Sequence, residues 1–325
     1  MIQVTKSKGN EFELIARLAK RMAGKLPPGV VGIGDDAAAL PIGDQTLLLT
    51  CDIAVAGKHF HSPTAKLEDV GWKLATANVS DVVACGGLPE YALISLGVPE
   101  DMDADKLEAL YDGLNEAAQT YGFHVIGGNV SGASELIVDC FMVGRTSRFV
   151  PRSGAQPGHL LALGGRVGDS AAGLEAVLAG KKDDISTSLI ARHLRPKARL
   201  DCVAFLEQHA SAAIDISDSL AAELNHLASA SQVALEVNGD QVPVSSELIA
   251  YCGGKRDKAL SYALRSGEEY QVLCAVPPQA QDEALGAGFV VIGEVSAGAG
   301  VMLDGAPLQA EGWDHLAVPR VGKPT

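Results

Sequence analysis

Two α/β domains are the fold class this sequence predicts, and three observations predict it. The chain has 325 residues, more than one domain usually holds. Hydrophobic residues make up 47% of it, ample for two cores. Strand-like and helix-like stretches alternate through both halves, and VPRSGAQPG at Val150–Gly158 concentrates Pro, Gly and Ser between them. The predicted division is residues 1–149 and 150–325. Hydrophobicity alone leaves open whether the sheets are parallel or mixed.

Taken in order, residues 10–23 predict a helix with Phe12, Ile15, Leu18 and Met22 on one face, ended by LPPG at Leu26–Gly29. VGIGDDAAAL (Val31–Leu40) then places two adjacent aspartates behind a glycine turn. Thr46–Asp52 reads as a strand, Leu67–Gly87 as a helix whose polar end carries Asn78, Ser80 and Asp81, and YALISLGVP as a strand. A helix over about residues 104–121 and two strands, FHVIGGNVSG and Glu135–Thr146, complete the first half. The second half repeats a strand, turn and helix logic at His159–Gly180 and at Ser211–Ser231, and closes with strands in LRSGEEYQVLCAVP and FVVIGEV. There is no low-complexity tract and no short-period repeat.

Composition excludes some functions. With 26 Lys+Arg against 40 Asp+Glu, the formal charge of −14 repels nucleic acid and anionic membranes in bulk. The N-terminal stretch mixes charges with apolar residues, and no run approaches the roughly 18 apolar residues of a membrane span. A soluble, cytoplasmic protein is expected. Six cysteines lie far apart without a CxxC pair, so they are expected to be reduced and buried.

Asp35, Asp36, Asp52, Asp81, Asp215 and Asp218 each end an apolar segment or occupy a tight turn. Converging segment ends bring their carboxylates together, and a hard cation is then the obvious counter-charge. All-oxygen ligands without a His/Cys cluster favour Mg2+ or Ca2+ over zinc. The plainer reading of any one such Asp is a helix cap, and either Asp218 or Ser219 suits the helix carrying Leu220, Leu224 and Leu227. In AIDISD, a cap explains at most one of Asp215, Ser217 and Asp218. Walker, kinase and dinucleotide motifs are absent. GGRVGDSAAG presents glycines before a helix, which serve either phosphate or close packing.

The order of the motifs says more than any one of them. GIGDDAAAL, TCDIAVAGKHF, ANVSDVVACGGLPEYALISLGVP, IGGNVSG, GRTSRFVPRSGAQPG, GDSAAGL, RHLRPKARL, AIDISDSLAAEL, SGEEYQVL and GWDHLA together resemble the thiamine-monophosphate kinases, across essentially the whole chain. The resemblance implies a two-domain α/β (α+β) fold like that of aminoimidazole ribonucleotide synthetase. Its N-terminal domain binds ATP and Mg2+ and forms a dimer barrel through a mixed sheet, and an α/β domain follows. The implied activity is ATP-dependent, in-line phosphorylation of thiamine monophosphate to thiamine diphosphate in a homodimer, without nucleic acid or membrane.

By the same resemblance, Asp35, Thr50, Cys51, Asp52, Asp81, Asn129, Asp215 and Asp218 would hold several Mg2+ ions. ATP would meet Tyr111, Gly128, Asn129, Arg152 and Ser217, and thiamine monophosphate would meet His59, Glu268 and Trp313. Asp36 is left as a turn residue or an acceptor behind the ligands. No general base is implied, because a phosphate-oxygen nucleophile is already largely ionised near neutral pH. The sequence departs from the family pattern at GGNV in place of GGDT, at Ser219 in place of glycine, at SGEEYQ in place of GGEDYE, and at Cys51. A paralogue acting on another small molecule, or a binding protein without turnover, are the alternatives these departures leave.

Overall fold

The computed structural model describes residues 11–22, 24–61 and 65–309. Its first half runs α1 (Glu11–Arg21), β1 (Ala38–Ile42), β2 (Gln45–Val55), α2 (Leu67–Ala84), β3 (Leu88–Val98), α3 (Ala104–Tyr121), β4 (His124–Gly132) and β5 (Ile137–Thr146). The strands form one sheet in the order β1-β2-β5-β3-β4. All neighbours are antiparallel except β3 and β4, so the sheet is mixed. β5 shows why it has two faces: Val138, Cys140 and Met142 are buried, while Ile137, Asp139, Phe141 and Val143 between them are half-buried.

α2 and α3 cover the buried face. Asp103 caps α3 by accepting the N–H of Asp105 at 3.2 Å, and Gly122 ends the helix at φ 79°. The two helices touch through glycines. A Cβ on Gly113 would stand 1.8 Å from the Glu68 carbonyl oxygen, and one on Gly71 2.2 Å from that of Leu110. Gly113→Ala must therefore spread the pair, and we expect a loss of ~3 kcal/mol in chemical denaturation. An unchanged midpoint would show that the contact is not this tight.

The second half runs β6 (Leu160–Gly164), α4 (Asp169–Leu178), α5 (Asp184–Leu194), α6 (Val203–His209), β7 (Ala212–Asp215), α7 (Leu220–Ser231), β8 (Ala234–Val237), α8 (Ser246–Tyr251), α9 (Arg256–Arg265), β9 (Val272–Val276), α10 (Gln281–Gly286), β10 (Phe289–Ser296), β11 (Gly300–Leu303) and β12 (Ala306–Pro307). Its sheet has the order β12-β11-β8-β10-β6-β9-β7. Only β11 and β8 pair in parallel, so this sheet too is mixed.

α2 belongs to both halves. Twelve of its residues, from Val70 to Ala84, are buried, which leaves it with no solvent face of any width. Trp72 donates its indole N–H to the Pro196 carbonyl at 2.7 Å. The Arg195 guanidinium lies 5.0 Å from the Trp72 ring centre and pairs with Asp69 at 3.0 Å and Glu116 at 2.6 Å. The RHLRP motif thus clasps the second sheet's layer to α2 and α3.

Two expectations need amending. Five cysteines are buried and all six are free, but Cys51 is exposed, because strand alternation turns it away from α2. The helix at the N-terminus forms, but Ile15, Leu18 and Met22 are 41%, 54% and 78% exposed, so nothing among the described residues covers that face.

Candidate active site

The end of α2, the end of β7, the turn before β1 and strand β2 meet between the sheets. Asp81 follows Ser80 on α2, Asp215 is the last residue of β7, and Asp36 precedes β1. One carboxylate oxygen from each of Asp36, Asp81 and Asp215 lies within 4.8 Å of the other two. Thr50 donates to Asp81 Oδ2 at 2.5 Å, and Ser80 donates to Asp215 Oδ2 at 2.6 Å. Arg152, from the segment joining the halves, donates through Nε and Nη2 to Asp36 Oδ1 at 3.1 and 2.5 Å. Its backbone N–H reaches Asp35 Oδ2 at 3.1 Å.

One guanidinium does not balance these carboxylates. Burial, and then the charges of Asp52, Asp215 and Asp36, push the Asp81 carboxyl well up. Burial and Asp36 do the same to Asp215, against the Ser80 bond and Arg152. Burial raises Asp36 despite Arg152, and burial together with Asp36 raises Asp35 to about 6. Glu223 on α7, which accepts the Asp218 N–H at 3.2 Å, is raised by burial and by Asp215 and Asp218. These acids face one another without enough positive charge, and Asp36 Oδ2 is buried with no hydrogen-bond partner. An all-oxygen donor set with an orphaned buried oxygen fits Mg2+.

The ligands suggested by sequence divide by strand face. Thr50 and Asp52 are opposite Met142 and Cys140, on the side of α2, and join Asp81. Cys51 points the other way and donates to Asp139 Oδ1 at 3.2 Å. Asn129 is exposed on β4, in register with Ser95, which is itself opposite Asp139. It does not share the cluster of Asp36, Asp81 and Asp215. Gly128 beside it is a place where only glycine fits, since a Cβ would come 1.8 Å from the Ile94 carbonyl oxygen. Tyr111 is 38% exposed on α3.

In the second half, Ser217 and Asp218 follow Asp215, and Ser219 proves to be the cap of α7, accepting the Ala222 N–H at 3.0 Å. The SGEEYQ segment straps this turn down. Glu268 N–H donates to the Ser217 carbonyl at 2.7 Å, Tyr270 N–H to Ile216 at 2.9 Å, and Ile216 N–H to Gln271 at 2.7 Å. Glu268 and Tyr270 take φ of 56° and 51°, left-handed conformations that cost non-glycine residues on the order of 1–2 kcal/mol each.

His59 Nδ1 accepts the Val55 N–H at 3.0 Å, and of the cations that hold the Glu268 carboxyl down it acts least strongly, after Lys73 and His193. Trp313 lies outside the described residues.

Sequence reasoning missed several groups. Lys73 donates to Glu268 Oε2 at 2.8 Å, and His193 Nδ1 stands 3.7 Å from the same oxygen. Lys73 is seven residues before Ser80, the helical spacing that sets both on one side of α2, and this signal was available. Glu269 and Ser266 occupy the N–H groups that GGRVGDSAAG presents at the start of α4. Glu269 accepts the N–H groups of Gly168 and Ser170 at 2.7 and 3.0 Å, while Ser266 Oγ takes that of Ala171 at 2.9 Å.

The two halves correspond to the two domains of the AIR synthase related class. The model of its N-terminal domain matches residues 34–146 and that of its C-terminal domain residues 156–304. Within that class the chain belongs to the thiamine-monophosphate kinase family. It is 41% identical to the thiamine-monophosphate kinase of Aquifex aeolicus over 94% of this chain and 98% of that one. Against the Escherichia coli enzyme of the same name the identity is 35%, covering 95% and 99%. A solved structure described as AaThiL complexed with AMPPCP and TMP superposes with a TM-score of 0.90 at 39% identity, covering 97% of this chain and 100% of that one. The hydrogenase maturation protein HypE of E. coli shares the fold, with a TM-score of 0.63 at 19% identity over 81% of this chain and 84% of that one.

Proposed function

We propose that the chain transfers the γ-phosphoryl group of ATP to thiamine monophosphate, giving thiamine diphosphate and ADP. The observation that carries this reading is the convergence of Asp36, Asp81 and Asp215 from both halves of the chain into one group. A phosphate oxygen of the substrate forms the new bond to the γ-phosphorus as the bond to the β-phosphate oxygen breaks.

Phosphoryl transfer asks for positioning and charge neutralisation more than for covalent help. Asp36, Asp52, Asp81 and Asp215, with Asp35 and Asp218 alongside, would hold Mg2+. Ions held there would supply the positive charge that two anionic reactants need in order to approach. Thr50 and Ser80 orient the carboxylates, Arg152 fixes Asp36 and Asp35, and the strap from Ser266 to Gln271 holds the turn that carries Asp215 and Asp218. Arg152, Ser217, Gly128, Asn129 and Tyr111 are proposed to meet ATP. His59, Glu268 and Trp313 are proposed to meet thiamine monophosphate. Cys51 lies beside Asp139 on the far face of the sheet, and Asn129 lies two strands from Asp139 across Ser95, so a cation bound on that face would be separate from the central one.

The working unit is proposed to be a homodimer. On the first sheet's far face Ile53, Leu93 and Tyr91 are 51%, 40% and 42% exposed, with Phe141 and Val143 between them. A second copy of the same sheet would cover this apolar area. Among the described residues no helix is long and apolar enough to cross a membrane, in keeping with the proposed cytoplasmic location. Purified protein given ATP, Mg2+ and thiamine monophosphate is expected to form thiamine diphosphate and ADP in equal amounts. ATP turnover that needs another acceptor, or ATP binding without turnover, would overturn the assignment.

A further inference from the structure

Lys73 has no task in the reaction described above. It stands seven residues before Ser80 on α2, within about 20° of the same stripe and roughly 10 Å along the axis. Its ammonium crosses to the other half of the molecule and donates to Glu268 Oε2 at 2.8 Å.

We propose that Lys73 is a ligand for the substrate's phosphate, masked by Glu268 while the site is free. The cationic ring of the substrate takes over Glu268, and the released ammonium turns to the phosphate. This rests on the reading that Glu268 meets thiamine monophosphate.

Three observations carry the exchange. First, the pair is open to an incoming ligand, since 16% of the Lys73 side chain and 36% of that of Glu268 remain accessible. Second, Lys73 has the longer reach. Glu268 is fixed by its N–H bond to Ser217 at 2.7 Å and by its left-handed backbone, whereas Lys73 rides on a flexible four-carbon stem. Third, when Lys73 leaves, the carboxylate needs another cation. Burial tends to raise the Glu268 carboxyl, but nearby positive charge, the Lys73 ammonium first, outweighs it and holds the group below its usual range. His193 is a poor replacement for Lys73, because burial, the largest influence on it, disfavours its charged form. A ring with a permanent positive charge does replace it. A substrate carrying a cation at one end and a phosphate at the other thus swaps one ion pair for two.

A static clasp between the halves would use the same contact, so the test must separate the two. Binding of thiamine monophosphate and of thiamine, which lacks the phosphate, is measured by calorimetry on the full chain. Lys73→Met is expected to weaken thiamine monophosphate by ~10–100-fold, the worth of one charged hydrogen bond, and to leave thiamine equal or tighter. The affinity ratio of the two ligands therefore collapses at least ~10-fold, KM for ATP stays within ~3-fold, and Lys73→Arg restores part of the ratio. Lys73→Gln keeps a donor for Glu268 without the charge and is expected to behave as Lys73→Met does, which guards against a folding defect in one variant. An unchanged ratio in the soluble variants, with or without a lower melting temperature, overturns the proposal and leaves the clasp. Failure of the unaltered enzyme to make thiamine diphosphate instead sinks the kinase reading itself.

Discussion

Asp215→Asn is expected to lower turnover of thiamine monophosphate by about 10^3-fold or more, which corresponds to ~4 kcal/mol of transition-state stabilisation. The amide keeps the shape of the side chain and still accepts from Ser80, at the 2.6 Å contact that holds the carboxylate now. What it loses is the charge at the centre of the group formed with Asp36 and Asp81. Positioning and neutralisation are most of what a phosphoryl-transfer site supplies, so the loss falls on kcat rather than on folding. Stability is expected to hold or rise, because the variant removes one of several acids that burial and mutual repulsion already oppose. Steady-state rates over a range of Mg2+ concentrations, with a melting curve alongside, check both halves. A rate within tenfold of the unaltered enzyme at saturating Mg2+ would remove Asp215 from the metal set.

Without divalent cation the protein is expected to lose stability as pH rises from 4 to 8, opposite to the behaviour of a protein stabilised by paired carboxylates. Asp35 binds its proton more tightly folded than unfolded, with a value raised from 3.8 to about 6. Folding is therefore favoured while the proton stays on, and that advantage is lost as pH climbs through the window between those values. The shift alone is worth on the order of 3 kcal/mol. Asp81, Asp215 and Glu223, raised well above their ordinary values, extend the loss to higher pH. Mg2+ replaces the protons, so the melting temperature in chelator should fall by ~5 °C or more across this range, and saturating Mg2+ should flatten the curve. A melting temperature in chelator that stays level or rises would contradict the charge arrangement described for the site.

Local signals explain which parts were readable in advance. The helix from Ala104 to Tyr121 was legible because Asp103 starts it and Gly122 stops it within the sequence itself. The strand and helix around Asp215 were legible for a similar reason, with Ser219 supplying the cap. α5, α8 and α9 were not anticipated. They are 11, 6 and 10 residues long, and they are held largely by packing on α4 and on one another around Ala172, Leu189, Leu248 and Ala259.

The site was half legible. That aspartates at segment ends would meet followed from their pattern, but which of two neighbours faces inward did not. Asp36 is chosen by Arg152, 116 positions away. The glycine turn before α4 looked open to phosphate because its true partner, Glu269, is 101 positions from Gly168. Lys73 and Glu268 are 195 apart. Each of these choices is made by the fold, and no window of local sequence contains both partners.

α2 acts as a gauge. It is buried nearly all round, pinned at Trp72 and Arg195, and locked to α3 through Gly71 and Gly113, so it neither bends nor slides easily. The eight helical steps from Lys73 to Asp81 span roughly 12 Å of rigid helix. The distance between the residue that meets Glu268 and the residue that joins the carboxylate cluster is therefore set before any ligand arrives. On the proposed reading, a molecule with the right charges but a much longer or shorter link between them would be disfavoured by length, a form of selection that needs no contact with the link itself.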